Sequence, residues 1–154
     1  LYLIHVSTNR MVRLAAGVGT RFPAYATSLG RILLAHLPDD KLDDYFAGTE
    51  FVKFTDRTIT DRERLKKIVL QARQNDYASI QDELDYGIVS VAVPIRAGTP
   101  EVIAAINCST ATSRVEPGEM LETRLAFLRE AAKEIEIELR RYPALVHSIR
   151  AQGS

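Results

Sequence analysis

Ser28, Ser90, Asn107 and Ser109 are the side chains of this sequence best suited to hold a small polar molecule. Three hydroxyls and one amide can orient a ligand through hydrogen bonds, and none is a nucleophile without a base beside it, so the chemistry they offer is recognition. The first of them lies in FPAYATSLGRILLAHL at 22–37. There a proline-containing entry passes through Thr27 and Ser28 into an apolar-periodic helix with Leu29, Ile32, Leu33 and Leu37 on one stripe, ended before Pro38. A helix start leaves backbone N–H groups unpaired and carries the positive end of the dipole. That suits an anion, and it suits equally a water and a capping side chain.

Other residue types with chemical potential do not assemble. His5, His36 and His147 are scattered, and no HExxH, CxxC or carboxylate cluster has ligand spacing, so neither a metal nor a cofactor is expected. There is no GxSxG elbow, and Cys108 in an apolar strand reads as a buried small hydrophobe rather than a nucleophile. Asp82, Glu83 and Asp85 are split between faces by strand alternation and read as a solvated strand end, with Glu83 free to bond the turn at Gly87. Asn107, Cys108 and Ser109 spell a glycosylation signal whose strand context argues against its use. GVGTRF lacks the third glycine and the strand-to-helix spacing of a dinucleotide fingerprint.

The elements that must position the polar set follow from periodicity. Runs at 1–6 and 11–16, separated by Ser7, Thr8, Asn9 and Arg10, predict a β-hairpin. After the 22–37 segment, Asp39 is expected to cap a short helix with Leu42, Tyr45 and Phe46 inward, ended by Gly48. Thr60 and Glu63 have the T-x-x-E form of a capping box ahead of a helix whose stripe is Leu65, Ile68, Val69 and Ala72. Strands are expected at 77–83, 88–95 and 101–109, the last two joined by a hairpin loop at Gly98, Thr99 and Pro100. In the middle strand Ile88, Ser90, Ala92 and Pro94 share one face, and Val89, Val91, Val93 and Ile95 the other. Ser90 therefore sits among small side chains, where a covering helix or a ligand must fill the space. From Pro117 a helix runs to about Arg141 with Leu121, Leu125, Leu128, Ala132, Ile135 and Leu139 as a core-facing stripe; three heptads are barely enough for a coiled coil.

A chain of 154 residues fits one domain, here placed at 1–150, that buries roughly 68–70 % of its unfolded surface. Twenty basic and twenty acidic residues cancel, so nothing resembles the basic face that duplex DNA or an anionic membrane requires. One cysteine excludes an intrachain disulfide, and no signal peptide or long apolar span is seen, which predicts a cytoplasmic protein without membrane contact. The opening LYLIHVS has no initiator methionine and reads as part of something longer, and Gly153 and Ser154 as a cloning remnant.

With these residues in view, the chain resembles the effector-binding domain of IclR-type bacterial transcriptional regulators over nearly its whole length. The carriers are FPAYATSLGRILLA at 22–35, TITD at 58–61, Tyr77 and Ala78 followed by Glu83, Gly87 and SVAVP at 90–94, and AAINCS at 104–109. The segment YLIHVSTNRMVRLAAGVGTRFPAYATS is most similar to the Pca and Pob branch, which controls aromatic-acid catabolism through protocatechuate and β-ketoadipate. The resemblance implies an α/β (α+β), GAF-like domain with a central antiparallel sheet flanked by helices. It also implies an N-terminal winged helix-turn-helix domain outside this chain, through which dimers or tetramers bind operator DNA. In family members with small oxo-acid effectors, the carboxylate meets backbone groups at positions matching Ser28 and Leu29, beside Thr27, with side chains matching Ile80, Ser90, Asn107 and Ser109 around it. Ile80 stands where those members are usually acidic and Ser90 where they often have cysteine, departures that favour a partly apolar effector. Asp76 replaces the usual glycine before Tyr77.

Two other classes of function are open to the residues alone. The leucine stripe at 121–139 suits a structural oligomerisation domain without a ligand, and an enzyme has little to stand on because no nucleophile and base pair can be named.

Overall fold

In a computed structural model the described residues are Ile4, 18–115 and 117–153. The hairpin expected over 1–16 lies, Ile4 apart, outside them. The described elements are a 3-10 turn at Ala24–Ala26, helices α1 (Ser28–Ala35), α2 (Asp39–Gly48) and α3 (Arg62–Asn75), strands β1 (Ala78–Gln81), β2 (Ile88–Arg96) and β3 (Val102–Ala111), and helices α4 (Pro117–Arg141) and α5 (Pro143–Gly153). The strands form an antiparallel sheet in the order β1-β2-β3, with Ser90 opposite Ile80 on one side and opposite Ser109 on the other. This is the mixed α/β architecture that the family resemblance implies, an antiparallel sheet flanked by helices.

The two faces of β2 do different work. Val89, Val91, Val93 and Ile95 pack with Met120, Leu128, Ala132 and Leu139 of α4, a cluster of aliphatic side chains. On the opposite face Ala92 joins Ile32, Ala35, Leu65, Val69 and Ala78 beneath α1 and α3. Pro94 is tolerated in the middle strand for a geometric reason. The bond from the Asp82 N–H to the Ile88 carbonyl makes the even-numbered residues of β2 the ones that face β1, and β1 ends opposite Ala92, so the missing N–H of Pro94 has no ladder bond to lose.

Several helix ends differ from expectation. Asp61, not Thr60, caps α3, its carboxylate accepting from the Arg64 N–H at 2.7 Å, because the helix starts one residue later than the T-x-x-E pattern suggests. Asp39 is the first residue of α2 rather than its cap; Pro38 precedes it without a side-chain bond, and the Asp39 carboxylate instead takes Arg73 Nη1 at 2.7 Å. That arginine also donates from Nε to the Ala35 carbonyl and from Nη2 to the Leu37 carbonyl at 2.9 Å, closing the end of α1. Asp76 adopts the left-handed conformation itself, φ 57°, and Arg96 holds its carboxylate with bonds of 2.7 and 2.9 Å. Beyond Arg141 the chain turns at Tyr142 and Pro143 into α5, a helix the residue pattern did not suggest; the stripe of α4 is an ordinary core face, since Leu128, Ala132 and Leu139 are buried against the sheet.

Candidate effector site

The start of α1 is held by three local devices. Thr27 is its N-cap, in extended conformation, and its hydroxyl accepts from the Gly30 N–H at 3.0 Å. The N–H groups of Ser28 and Leu29 are left without a capping side chain. Gly30 is required by contact: a Cβ there would lie 2.2 Å from the Ala24 carbonyl oxygen, so only glycine lets the helix press on the 3-10 turn. Arg31 is 2 % exposed and locks that turn, its Nε donating to the Tyr25 carbonyl at 2.8 Å while Nη1 and Nη2 bond the two Glu83 oxygens at 2.7 and 2.5 Å. The Tyr25 hydroxyl in turn bonds both the carbonyl and the N–H of Val52 at 2.8 Å, and burial pushes its pKa up.

Strand alternation places Ser90 on the sheet face beneath this helix start, and the register brings Asn107 and Ser109 beside it. Ser90 Oγ lies 2.7 Å from Ser28 Oγ, 2.8 Å from Ser109 Oγ and 3.1 Å from Asn107 Nδ2; Asn107 Nδ2 is also 2.9 Å from Ser109 Oγ. The four polar residues singled out in the sequence are therefore one hydrogen-bonded group. They line a hollow of about 30 Å³ together with Thr27, Ile80, Leu84 and Ile88. One wall is polar and the other is aliphatic.

Of the residues anticipated for a ligand, Thr27, Ser28, Ile80, Ser90, Asn107 and Ser109 line this hollow, and Leu29 does not. The Leu29 side chain packs on the core beneath α1, so only its backbone N–H belongs to the helix start. Leu84 and Ile88 were not anticipated. Ile88 could have been found, since it alternates with Ser90; Leu84 sits in the 82–87 connection, whose path no periodicity reveals. Glu83 does not bond Gly87: the Gly87 N–H donates to Asp82 Oδ1 at 2.6 Å, while the Glu83 carboxylate pairs with Arg31 and accepts from the Ile59 N–H at 3.3 Å. The Asp82 to Asp85 segment is thus no simple solvated strand end, because Glu83 is 6 % exposed and its carbonyl also accepts from the Thr58 hydroxyl at 2.6 Å.

A wider groove of about 690 Å³ runs along the outer edge of β1, between Asp61 and Arg64 of α3 and Met120 of α4. It is open to solvent, and three of its polar side chains are engaged elsewhere: Thr58 by the Glu83 carbonyl, Asp61 by the Arg64 N–H and Glu83 by Arg31. Size favours this groove, whereas the smaller hollow, about 30 Å³ as it stands, is where the polar side chains of α1, β2 and β3 converge. Among the described residues no cluster of His, Cys, Asp or Glu could hold a metal ion, and no helix is long and apolar enough to cross a membrane.

The family model for the bacterial transcriptional regulator IclR C-terminal domain matches residues 1–137. The chain belongs to this family. It is 36 % identical over 136 residues to the Pca regulon regulatory protein of Pseudomonas putida, covering 88 % of this chain and 47 % of that protein. Among solved structures, a transcriptional regulator from Rhodococcus sp. RHA1 superposes with a TM-score of 0.83 at 40 % identity, over 87 % of this chain and 55 % of that one. The inducer-binding domain of the PobR transcription factor from Acinetobacter, a double mutant in complex with 3-hydroxybenzoic acid, has a TM-score of 0.76 at 32 % identity, over 84 % of this chain and 74 % of that one. The domain thus falls with the Pca and Pob regulators, and it spans about half the length of the curated relatives it matches.

Proposed function

We propose that this domain senses an aromatic acid or its ring-cleavage product, of the protocatechuate or β-ketoadipate type, at the hollow between the start of α1 and the β2–β3 face. The observation that carries the reading is the convergence of buried Ser28 and Ser90 with half-buried Asn107 and exposed Ser109, faced by the aliphatic Ile80, Leu84 and Ile88. A polar wall opposite an apolar one suits a ligand with an acidic end and a ring, and the hollow, about 30 Å³ as it stands, opens to admit one. Ile80 in a position often acidic among relatives of small oxo-acid specificity removes a charge that such a ring would have to desolvate. The likeness to a domain crystallised with 3-hydroxybenzoic acid and to a Pca regulator supports the same class.

The effector acts through the difference in its affinity for two arrangements of the whole regulator, altering how a winged-helix domain outside this sequence grips operator DNA. The regulator is a cytoplasmic homodimer or tetramer and not an enzyme; the site residues supply recognition and no nucleophile and base pair. A calorimetric and thermal-shift screen of protocatechuate, 3- and 4-hydroxybenzoate, β-ketoadipate and small oxo-acids tests this. Saturable binding of the aromatic acids in preference to glyoxylate or pyruvate is expected. A response confined to the small oxo-acids, or to none of the set, overturns it.

A further inference from the structure

We propose that Ser90 is a positioning residue that fixes the direction of the hydroxyl chain running from exposed Ser109 to buried Ser28, so that Ser28 meets the effector as a hydrogen-bond donor; this rests on the effector reading above. The argument is a count of protons and lone pairs. Asn107 turns its amide nitrogen, with two N–H groups, toward Ser90 Oγ at 3.1 Å and Ser109 Oγ at 2.9 Å. The Ser109 hydroxyl, having accepted from Asn107, donates to Ser90 Oγ at 2.8 Å. A serine oxygen has two lone pairs, and both of those on Ser90 are now engaged. Its own proton therefore goes to the remaining neighbour, Ser28 Oγ at 2.7 Å.

Ser28 then accepts from Ser90 and has its own proton to give. Its side chain is on a residue 2 % exposed, on the wall of the hollow, and no acceptor for that proton is found among the described residues. The N–H groups of Ser28 and Leu29 lie at the same helix start, uncapped, because Thr27 spends its oxygen on Gly30. Hydroxyl and backbone thus present donors with no matching acceptor, and a buried donor left unmatched is unfavourable until one arrives. The group the effector turns toward Ser28 is an acceptor, a carboxylate or an oxo oxygen, and a protonated amine is refused. Serine at position 90 is what makes the direction firm, since it can both take two bonds and pass one on.

The test is a double-mutant cycle on this chain, titrated calorimetrically with 3- and 4-hydroxybenzoate, together with 4-hydroxybenzamide as the uncharged comparison. Ser28→Ala is expected to weaken hydroxybenzoate binding about tenfold, the loss of one hydrogen bond to a charged group. Ser90→Ala is expected to weaken it a few-fold and to narrow the preference for acid over amide, because Ser28 is then free to accept as well as donate. In the Ser28→Ala background, Ser90→Ala should add nothing. Ser90→Cys, of similar volume and with a weak S–H donor, gives a smaller loss than alanine and serves in its place if alanine lowers the melting temperature. Equal penalties for Ser90→Ala in both backgrounds, or an unchanged acid-to-amide preference, overturn the role of Ser90 and leave the effector reading standing. Failure of the unsubstituted chain to bind either hydroxybenzoate removes the effector reading and this inference with it.

Discussion

The two faces of the sheet are built from the same strands and are used in opposite ways. Against α4, Val89, Val91, Val93 and Ile95 meet Met120, Leu128, Ala132 and Leu139, and stability there is apolar area removed from water. Beneath the start of α1 the same strand presents Ser90, the covering helix presents Ser28, and Arg31 with Glu83 is buried at its flank. Buried polar groups hold a fixed arrangement only when each bond is made, so that face is specific and intolerant. The aliphatic face is tolerant of shape and indifferent to ligand. A sensing domain needs both, one to keep the fold and one to be altered by what binds.

Breaking the polar face at Arg31 should have the largest effect. The Arg31–Glu83 side chains are 2 and 7 % exposed, and removing one partner leaves a buried charge, so Arg31→Ala is expected to cost about 3–5 kcal/mol in urea unfolding. It should also abolish the hydroxybenzoate response, because the 3-10 turn that supports Gly30 is released. Replacing both partners by apolar residues of similar volume should recover most of the stability. Recovery of stability without recovery of binding would show that the pair serves the site as well as the fold.

A cut on the aliphatic face gives the contrast. Leu128→Ala, at a residue 7 % exposed, should cost about 2–3 kcal/mol and leave the affinity of the folded domain for hydroxybenzoate unchanged. A matching loss of affinity would mean that the faces are coupled through β2.

The smallest effect belongs to the charged group where α1, α3 and β2 meet. Burial lowers the His36 pKa below its ordinary 6.5, with Asp76 opposing and Arg96 and Arg73 adding to the shift. His36 Nε2 lies 3.0 Å from Asp76 Oδ1, off the line a hydrogen bond needs, so the carboxylate attracts the proton without fully holding it. For Asp76, burial raises the pKa, and the bonds and charge of Arg96 together with His36 outweigh it, leaving the carboxyl below its usual 3.8. A folded-state pKa below the unfolded value means that the unfolded chain binds more protons, so stability falls as pH falls: through the window just under 6.5 for His36, and only below 3.8 for Asp76. Urea midpoints measured from pH 8 to pH 5 should decline slightly, and His36→Gln should flatten that decline. An unchanged slope in the variant would assign the decline to other groups.

Much of this was legible in the residues. Alternation in IVSVAVPI put Ser90 and the valines on opposite faces, the Pro117 start and Arg141 end of α4 followed from its stripe, and hydroxyl and amide side chains marked the polar wall. These succeed because period and side-chain type are local properties. Leu84 was not legible because a connection has no period, and the partner of Glu83 was not because Arg31 lies 52 positions away. Even the capping of α3 turned on a one-residue choice between Thr60 and Asp61 that local chemistry leaves nearly balanced.

The sequence by itself determined helices α1 to α4 and the three strands in outline, the faces of the strands, the family and the set of polar groups available for binding, though not α5. The tertiary structure alone decided that Ser28, Ser90, Asn107 and Ser109 meet within hydrogen-bond distance, that Gly30 presses on Ala24, and that Arg31 finds Glu83. The reason is physical. Helical and strand periodicity act between neighbours in the chain, whereas the direction of a buried hydroxyl is settled by which donors and acceptors distant segments bring to the same few ångströms.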